Sequence, residues 1–281
     1  MIDAYSYVSD NSANGTLDHA HQITANIQSS EVFDGFSLMD IFPIIVAFLS
    51  RGLGGILKGA TGAGAPLVAV PALALLFDVP TAIAIFSLPN LLSNAWQGWS
   101  FRKSQKSKQL VWGFAVAGVF GMALGTHFLT ILSPVILEKA LAVIVLAFVA
   151  FKLLNPRWIL ARHIGIKWGP IAGFLAGGLQ GVTGLSAPIS LSFLNSMRLE
   201  RAEFIATIAV FFGLTALPQI GLLIYYDILT LYLSFWSLLG LLPIVIFIPV
   251  GQFLAKKWSP LTFDKIILTA LFIISIRLLI I

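Results

Sequence analysis

Cysteine is absent from the 281 residues, which excludes disulfide frameworks, thiolate metal sites, iron–sulfur clusters and cysteine nucleophiles. Charge is scarce too: 10% of the residues are Asp, Glu, Lys or Arg, against about 25% in a soluble domain. Carboxylates are missing from the interior of the apolar runs, since Asp78, Glu138, Glu200, Glu203, Asp227 and Asp264 all fall near run ends. A metal-cation transporter, or a proton carrier of the buried-carboxylate type, would want such groups; His127 is the one titratable side chain left for a proton. No Ser-His-Asp or paired-carboxylate arrangement stands out, and glycine-rich 52–64 lacks the Gly-x-x-x-x-Gly-Lys-Ser/Thr order of a phosphate loop. The chain therefore does not read as an enzyme, and no cofactor is expected.

What is present is apolar: 58% of residues are hydrophobic and the mean hydropathy is +0.94. At about 20 residues per crossing, residues 41–281 have room for roughly ten transmembrane segments, so the expected fold is an all-α polytopic membrane protein. The net charge of +5 does not point to nucleic acid, because the cations lie in short loops between apolar runs. Four loops carry them: Arg102, Lys103, Lys106 and Lys108; Lys152, Arg157, Arg162 and Lys167; Arg198 and Arg201; Lys256, Lys257 and Lys265. The positive-inside rule puts these in the cytoplasm and the cation-poor loops near 76–80, 130–137 and 226–233 outside. Residues 1–39 form an acidic polar tail without Lys or Arg, expected on the periplasmic, outer side and retained, since it lacks a signal peptide's positive n-region and apolar stretch. His19 and His21 within it make too small a cluster for a metal site.

Lys58-Gly59-Ala60-Thr61-Gly62-Ala63-Gly64-Ala65-Pro66 aligns without gaps on Gln180-Gly181-Val182-Thr183-Gly184-Leu185-Ser186-Ala187-Pro188, 122 residues on, with five of nine positions identical. The same offset matches Gln97 to Gln219. Each copy heads five elements, which divides the chain into a first transmembrane repeat over 40–154, a basic cytoplasmic linker over 155–167 and a second repeat over 168–281. The loop at 100–110 is basic while its counterpart at 226–233 carries Asp227 and no cation. The second copy is therefore expected upside down relative to the first, an inverted-topology architecture with its substrate site near the bilayer midplane. The second element of each half spans only 66–77 or 187–197, too short to cross. Each half thus opens with a broken or re-entrant hairpin whose glycine-rich tip lies inside protein or lines a watery cavity.

Pro66 and Pro188 suit the first position of a restarted helix, whose N-terminus carries a partial positive charge of roughly +0.5. Gly62, Gly64 and Gly184 let the backbone approach a ligand, and Thr61, Thr183 and Ser186 add hydroxyls. Two such tips facing each other would form an anion site of dipoles and neutral donors. Lys58, repeat partner of Gln180, either faces this site or snorkels to the cytoplasmic surface. Arg51, seven residues earlier on the same helix face, either lines the path or makes a structural contact. Asn90, Asn94 and Gln219 are polar groups in apolar runs, open to substrate contact or to interhelical hydrogen bonding.

The two glycine motifs, with Val70-Pro71-Ala72-Leu73 after the first, resemble those of the TauE/SafE sulfite exporter family, also called the 4-toluene sulfonate uptake permease family. The resemblance covers about 40–281 and omits the acidic tail. It implies a secondary transporter in the cell inner membrane that moves a small sulfur-containing anion, such as sulfite, a sulfonate or sulfoacetate. With alternating access come partners in the lipid bilayer and a coupling ion, proton or sodium. An anion channel, or a carrier of another small carboxylate or oxyanion, is the alternative. Leu185 and Ser186 stand where the first copy has Ala63 and Gly64.

Overall fold

The computed structural model describes residues 38–154, 159–257 and 260–280; the acidic tail up to residue 37 lies outside them. Among the described residues every regular element is helical. In chain order these are α1 (Leu38–Thr61), α2 (Ala65–Ala74), α3 (Val79–Ser100), a short 3₁₀ turn (Arg102–Ser104), α4 (Lys108–Ile131), α5 (Pro134–Leu154), α6 (Arg162–Thr183), α7 (Ala187–Ser196), α8 (Arg201–Tyr225), α9 (Leu231–Leu239), α10 (Leu241–Lys257) and α11 (Pro260–Ile280). Residues 44–281 form one compact unit and residues 1–43 another, of which the described part is the start of α1.

Helix starts follow side chains that satisfy free backbone N–H groups. Asp78 accepts from Thr81 N (2.6 Å) at the head of α3, Ser107 from Leu110 N (3.3 Å) at α4, and Thr230 from Leu233 N (3.2 Å) at α9. Among the described residues four stretches are long and apolar enough to cross a membrane: Lys108–Ile131, Pro134–Leu154, Arg201–Tyr225 and Leu231–Lys257. The last is interrupted at Gly240, between α9 and α10. Helix α3 is as long, but its apolar character is diluted by Asn90, Ser93, Asn94 and Gln97, all buried. The linker expected over 155–167 is helical from Arg162 onward.

Helix α2 is 10 residues long, buried at every position, and apolar all round. At 1.5 Å per residue it extends only about 15 Å, half a hydrocarbon core. Helix α7 has the same length. Both can end inside because other helices surround them. The long helices pack α4 on α6 and α8, α3 on α8, and α5 on α11.

The helix before each break is held by backbone-to-backbone contact with a helix from the opposite part of the chain. A Cβ at Gly55 or Gly59 of α1 would come within 2.5 or 2.1 Å of the Ile244 or Ile248 carbonyl oxygen of α10. A Cβ at Gly173 or Gly177 of α6 would come within 2.1 Å of the Phe114 or Gly118 carbonyl oxygen of α4. Small residues in such seams allow the dispersion contact that holds helices together where lipid supplies no hydrophobic drive. Outward-facing Phe120, Leu124, Phe128, Phe235, Leu242 and Ile246 are exposed, as on a lipid-facing surface. Trp99 anchors the basic end, with the Arg102 guanidinium 4.2 Å above its ring and Nη1 donating to the Trp99 carbonyl at 2.7 Å.

Candidate functional site

Helix α1 stops at Thr61 and α6 at Thr183, and the two breaks are built alike. Gly62 N donates to Lys58 O (2.7 Å), and Gly184 N to Gln180 O (2.6 Å). Thr61 Oγ1 donates to Leu57 O, and Thr183 Oγ1 to Leu179 O, both at 2.8 Å. Ala63 N and Leu185 N donate back to those hydroxyls, both at 3.3 Å. Gly62 and Gly184 have φ of +83° and +75°, left-handed values that a side chain disfavours. Each threonine thus closes its own helix end, its hydroxyl set against the preceding turn and its oxygen accepting from the amide two residues on, and the Thr61 hydroxyl has Ala63 O as a second acceptor. The copies differ next, where Gly64 is left-handed while Ser186 has φ −106° and accepts from Ser190 Oγ at 3.0 Å. Pro66 and Pro188 lie in the first turns of α2 and α7.

Each break is seated on an isoleucine one turn into a long helix of the other half. A Cβ on Gly62 would strike Ile205 Cγ1 of α8 at 2.3 Å, and one on Gly184 would strike Ile83 Cγ1 of α3 at 2.9 Å. Ile83 and Ile205 are themselves 122 residues apart. Gly184 also touches Val70, in the middle of α2. Five residues of α2 separate Ala65 from Val70, about 8 Å of helix. The second break therefore lies beside the middle of α2, not against the first break, and the two tips are staggered.

A cavity of about 630 Å³ opens among the basic loops and ends on the first break. Leu57, Thr61, Ala63, Gly64 and Leu67 line its floor, and Phe148, Leu191, Phe204 and Leu268 its walls. Lys152, Arg198, Arg201 and Lys265 stand around it, and no carboxylate is among the described lining residues. Ser192, Asn195 and Ser196 add polar groups. Cations over low-dielectric walls concentrate anions at the mouth of such a cleft.

Lys58 is 2% exposed, and its Nζ donates to Asn94 Oδ1 at 2.7 Å. It does not snorkel. Asn94 Nδ2 in turn donates to Asn90 O (2.7 Å) and Asn90 Oδ1 (2.8 Å), so Lys58, Asn94 and Asn90 form one buried chain between α1 and α3. Gln97, Gln180 and Gln219 are buried as well, each with one side-chain atom that meets no partner among the described residues. Arg51 is not gathered with Lys58. It is 8% exposed and lies against Gly240, whose Cβ would be 2.7 Å from the guanidinium carbon, and its Nε meets no acceptor among the described residues. His127 Nδ1 sits 3.0 Å from the Tyr226 hydroxyl, where α4 meets the end of α8.

The start of α8 ties the basic end together. Glu203, 1% exposed, receives a two-pronged hydrogen bond from Arg162 of α6, at 2.5 and 3.2 Å. Glu200 pairs with Lys106, whose hydrogen bond and charge hold the carboxyl below its usual range. Between them, Arg201 Nη2 donates to Gly59 O (3.3 Å) and Ala60 O (3.1 Å), the last turn of α1. Sequence reasoning used Arg201, Arg198, Lys152 and Lys265 only to orient the loops. No sequence signal singles out Arg201, because all four cations have an uncharged residue at the 122-residue offset: Val79 for Arg201, Leu76 for Arg198, Ile274 for Lys152 and Val143 for Lys265.

Residues 47–278 match the family described as sulfite exporter TauE/SafE. No curated protein and no solved structure matches the chain.

Proposed function

The chain belongs to the sulfite exporter TauE/SafE family, a family of membrane transporters, and from that premise we propose that it carries a small sulfur-containing anion across the cell inner membrane by alternating access. The anion is of the sulfite, sulfonate or sulfoacetate class. The observation that carries this reading is the cavity, which leads from Lys152, Arg198, Arg201 and Lys265 to Thr61 and Gly64. Its volume of about 630 Å³ is far larger than bare sulfite, and its apolar walls suit an organic substituent behind a charged head. The anion meets the tip of the first hairpin, with buried Lys58 behind it and the N-terminus of α2 ahead. One ammonium and neutral donors hold it loosely enough to leave, which a bidentate arginine clamp would not.

Alternating access here belongs to two inverted repeats, 40–154 and 168–281, joined by the linker 155–167, with the tail 1–39 outside. In support, Gly62 rests on Ile205 while Gly184 rests on Ile83, and α1 on α10 while α6 rests on α4, an exchange of partners that a twofold relation produces. A carrier also fits the unequal state of the two breaks. The first lines the cavity, whereas the second is covered by Ile83 and Val70. Movement is driven by a coupling ion, proton or sodium.

Proteoliposomes loaded with unlabelled sulfite test the proposal. Uptake of labelled sulfite is expected to saturate, to accelerate with sulfite inside, and to be competed by sulfonates more than by acetate or phosphate. Flux that rises linearly with concentration and ignores the internal anion would point to a channel instead.

A further inference from the structure

Arg201 stands where the carbonyl end of α1 meets the anion cavity. The last turn of α1 directs carbonyl oxygens toward the first break, and the end of a helix carries about half a negative charge. That charge faces the pocket meant for an anion. Half a charge about 6 Å from an anion, at an effective dielectric near 20, weakens its binding by about tenfold. Arg201 reaches across from α8, donates to Gly59 O and Ala60 O, and lines the cavity beside Thr61 and Gly64. At the second break the corresponding carbonyls, Gly181 O and Val182 O, receive no side-chain donor among the described residues. The residue matching Arg201 there is the buried Val79, just as Gln180 matches Lys58.

We infer that Arg201 sets the charge selectivity of the first break: by capping the carbonyl end of α1 it turns a terminus that repels anions into one that admits them. The anion's charge is then met almost wholly by the first hairpin and its Arg201 cap, while the second hairpin offers neutral groups. The inference rests on the transport reading above and adds to it the residue that decides for charge.

A helix cap with no other duty would lower the amount of folded protein without changing affinity, so the decisive readout is KM against maximal rate in proteoliposomes. Arg201→Gln is expected to raise KM for sulfite about tenfold, with a maximal rate within about twofold of the unaltered protein. Arg201→Lys, which keeps the charge, is expected to hold KM within about threefold. The comparison variant Arg198→Gln removes a rim cation that makes no bond to α1. Its KM change is expected to vanish in 0.5 M salt on the order of Debye screening, whereas the Arg201→Gln change persists because the cap acts at contact distance. An unchanged KM in Arg201→Gln, equal defects in Gln and Lys variants, or a defect that salt abolishes would each overturn the inference. If Arg201→Gln does not accumulate in the membrane, Arg201→Lys decides: a retained KM supports the cap, and a fallen maximal rate with no gain over Gln-level accumulation overturns it. An unaltered protein that moves no sulfite or sulfonate overturns the transport reading instead. Calorimetry of sulfite and sulfate with the purified protein then tests Arg201 by itself, with about tenfold weaker binding expected in the Gln variant.

Discussion

Lys58 has left water entirely, and an ammonium in that position must find acceptors or a counterion. Asn94 supplies one acceptor at 2.7 Å, and no carboxylate bonds to Lys58 among the described residues. An ammonium has three protons, so capacity is left for a mobile anion. Insertion of such a charge costs about 2.5–3.5 kcal/mol, which argues for a use beyond packing. Lys58→Ala is expected to cut the initial rate of sulfite uptake by about tenfold or more while the protein still inserts. Uptake at the unaltered rate, measured against equal amounts of protein in the liposomes, would take Lys58 out of the site. Burial of Lys58 was not legible in the sequence, because the same four-carbon stem could have carried the charge to the surface. Nor was the role of Arg201, since a cation at a loop end satisfies the positive-inside rule whether or not it bonds to anything. Pairwise geometry, not composition, shows Arg201 bonded to the carbonyl end of α1.

The breaks are where local sequence speaks most plainly about elements. Thr-Gly preceded by an apolar turn and followed by Ala-Pro gave the stop at Thr61 and Thr183 and the restart near Pro66 and Pro188, because each residue has its own reason to be there. The start of α6 was less legible. Arg162, His163 and Lys167 look like a basic loop, yet Arg162 is satisfied by Glu203, and Gly165 packs against the Met197 side chain, so the helix begins early. The interruption at Gly240 is followed by Pro243 in the first turn of α10, which has no N–H to give the Leu239 carbonyl, and the Arg51 side chain lies on that glycine. At the second break the backbone and its threonine act as a unit, so both should fail together. Gly184→Ala forces a Cβ into Val70 and Ile83 in a left-handed conformation, which costs about 1–2 kcal/mol before the clash is counted. Thr183→Val leaves the Leu185 amide without its acceptor, a loss of about 1–3 kcal/mol. Both variants are expected to unfold several degrees lower in a detergent melt and to transport more slowly, and Thr183→Ser to behave as the unaltered protein. A Gly184→Ala protein with an unshifted melt would mean that the break relaxes without it.

At the scale of the whole molecule, self-similarity over 122 residues implied that two copies share one architecture, but not how deep each tip would reach. The tips were expected to face one another; the structure sets the second against the middle of α2. The tips meet different partners, the first Ile205 near the start of α8 and the second Ile83 near the start of α3 together with Val70, and no local signal records those tertiary contacts. The orientation of the copies makes the remaining prediction. If α1–α2 and α6–α7 each return to the side they entered from, three full crossings follow in each half: α3, α4 and α5, then α8, α9–α10 and α11. A polar tail outside puts the basic loop after α5 inside and the C-terminus outside again. Fusions of green fluorescent protein, which matures in the cytoplasm, and of alkaline phosphatase, which is active only outside, read this directly. A fluorescent protein fused after Lys152 is expected to glow and one at the C-terminus to stay dark, with phosphatase activity the other way round. A bright C-terminal fusion would require an even number of crossings in one half. Were the even half the first, which a dark fusion after Lys152 would report, the exchanged contacts at Gly62 and Gly184 would join two copies of the same orientation, and a cavity ending on the first break could not be matched by an equivalent one opening from the opposite side.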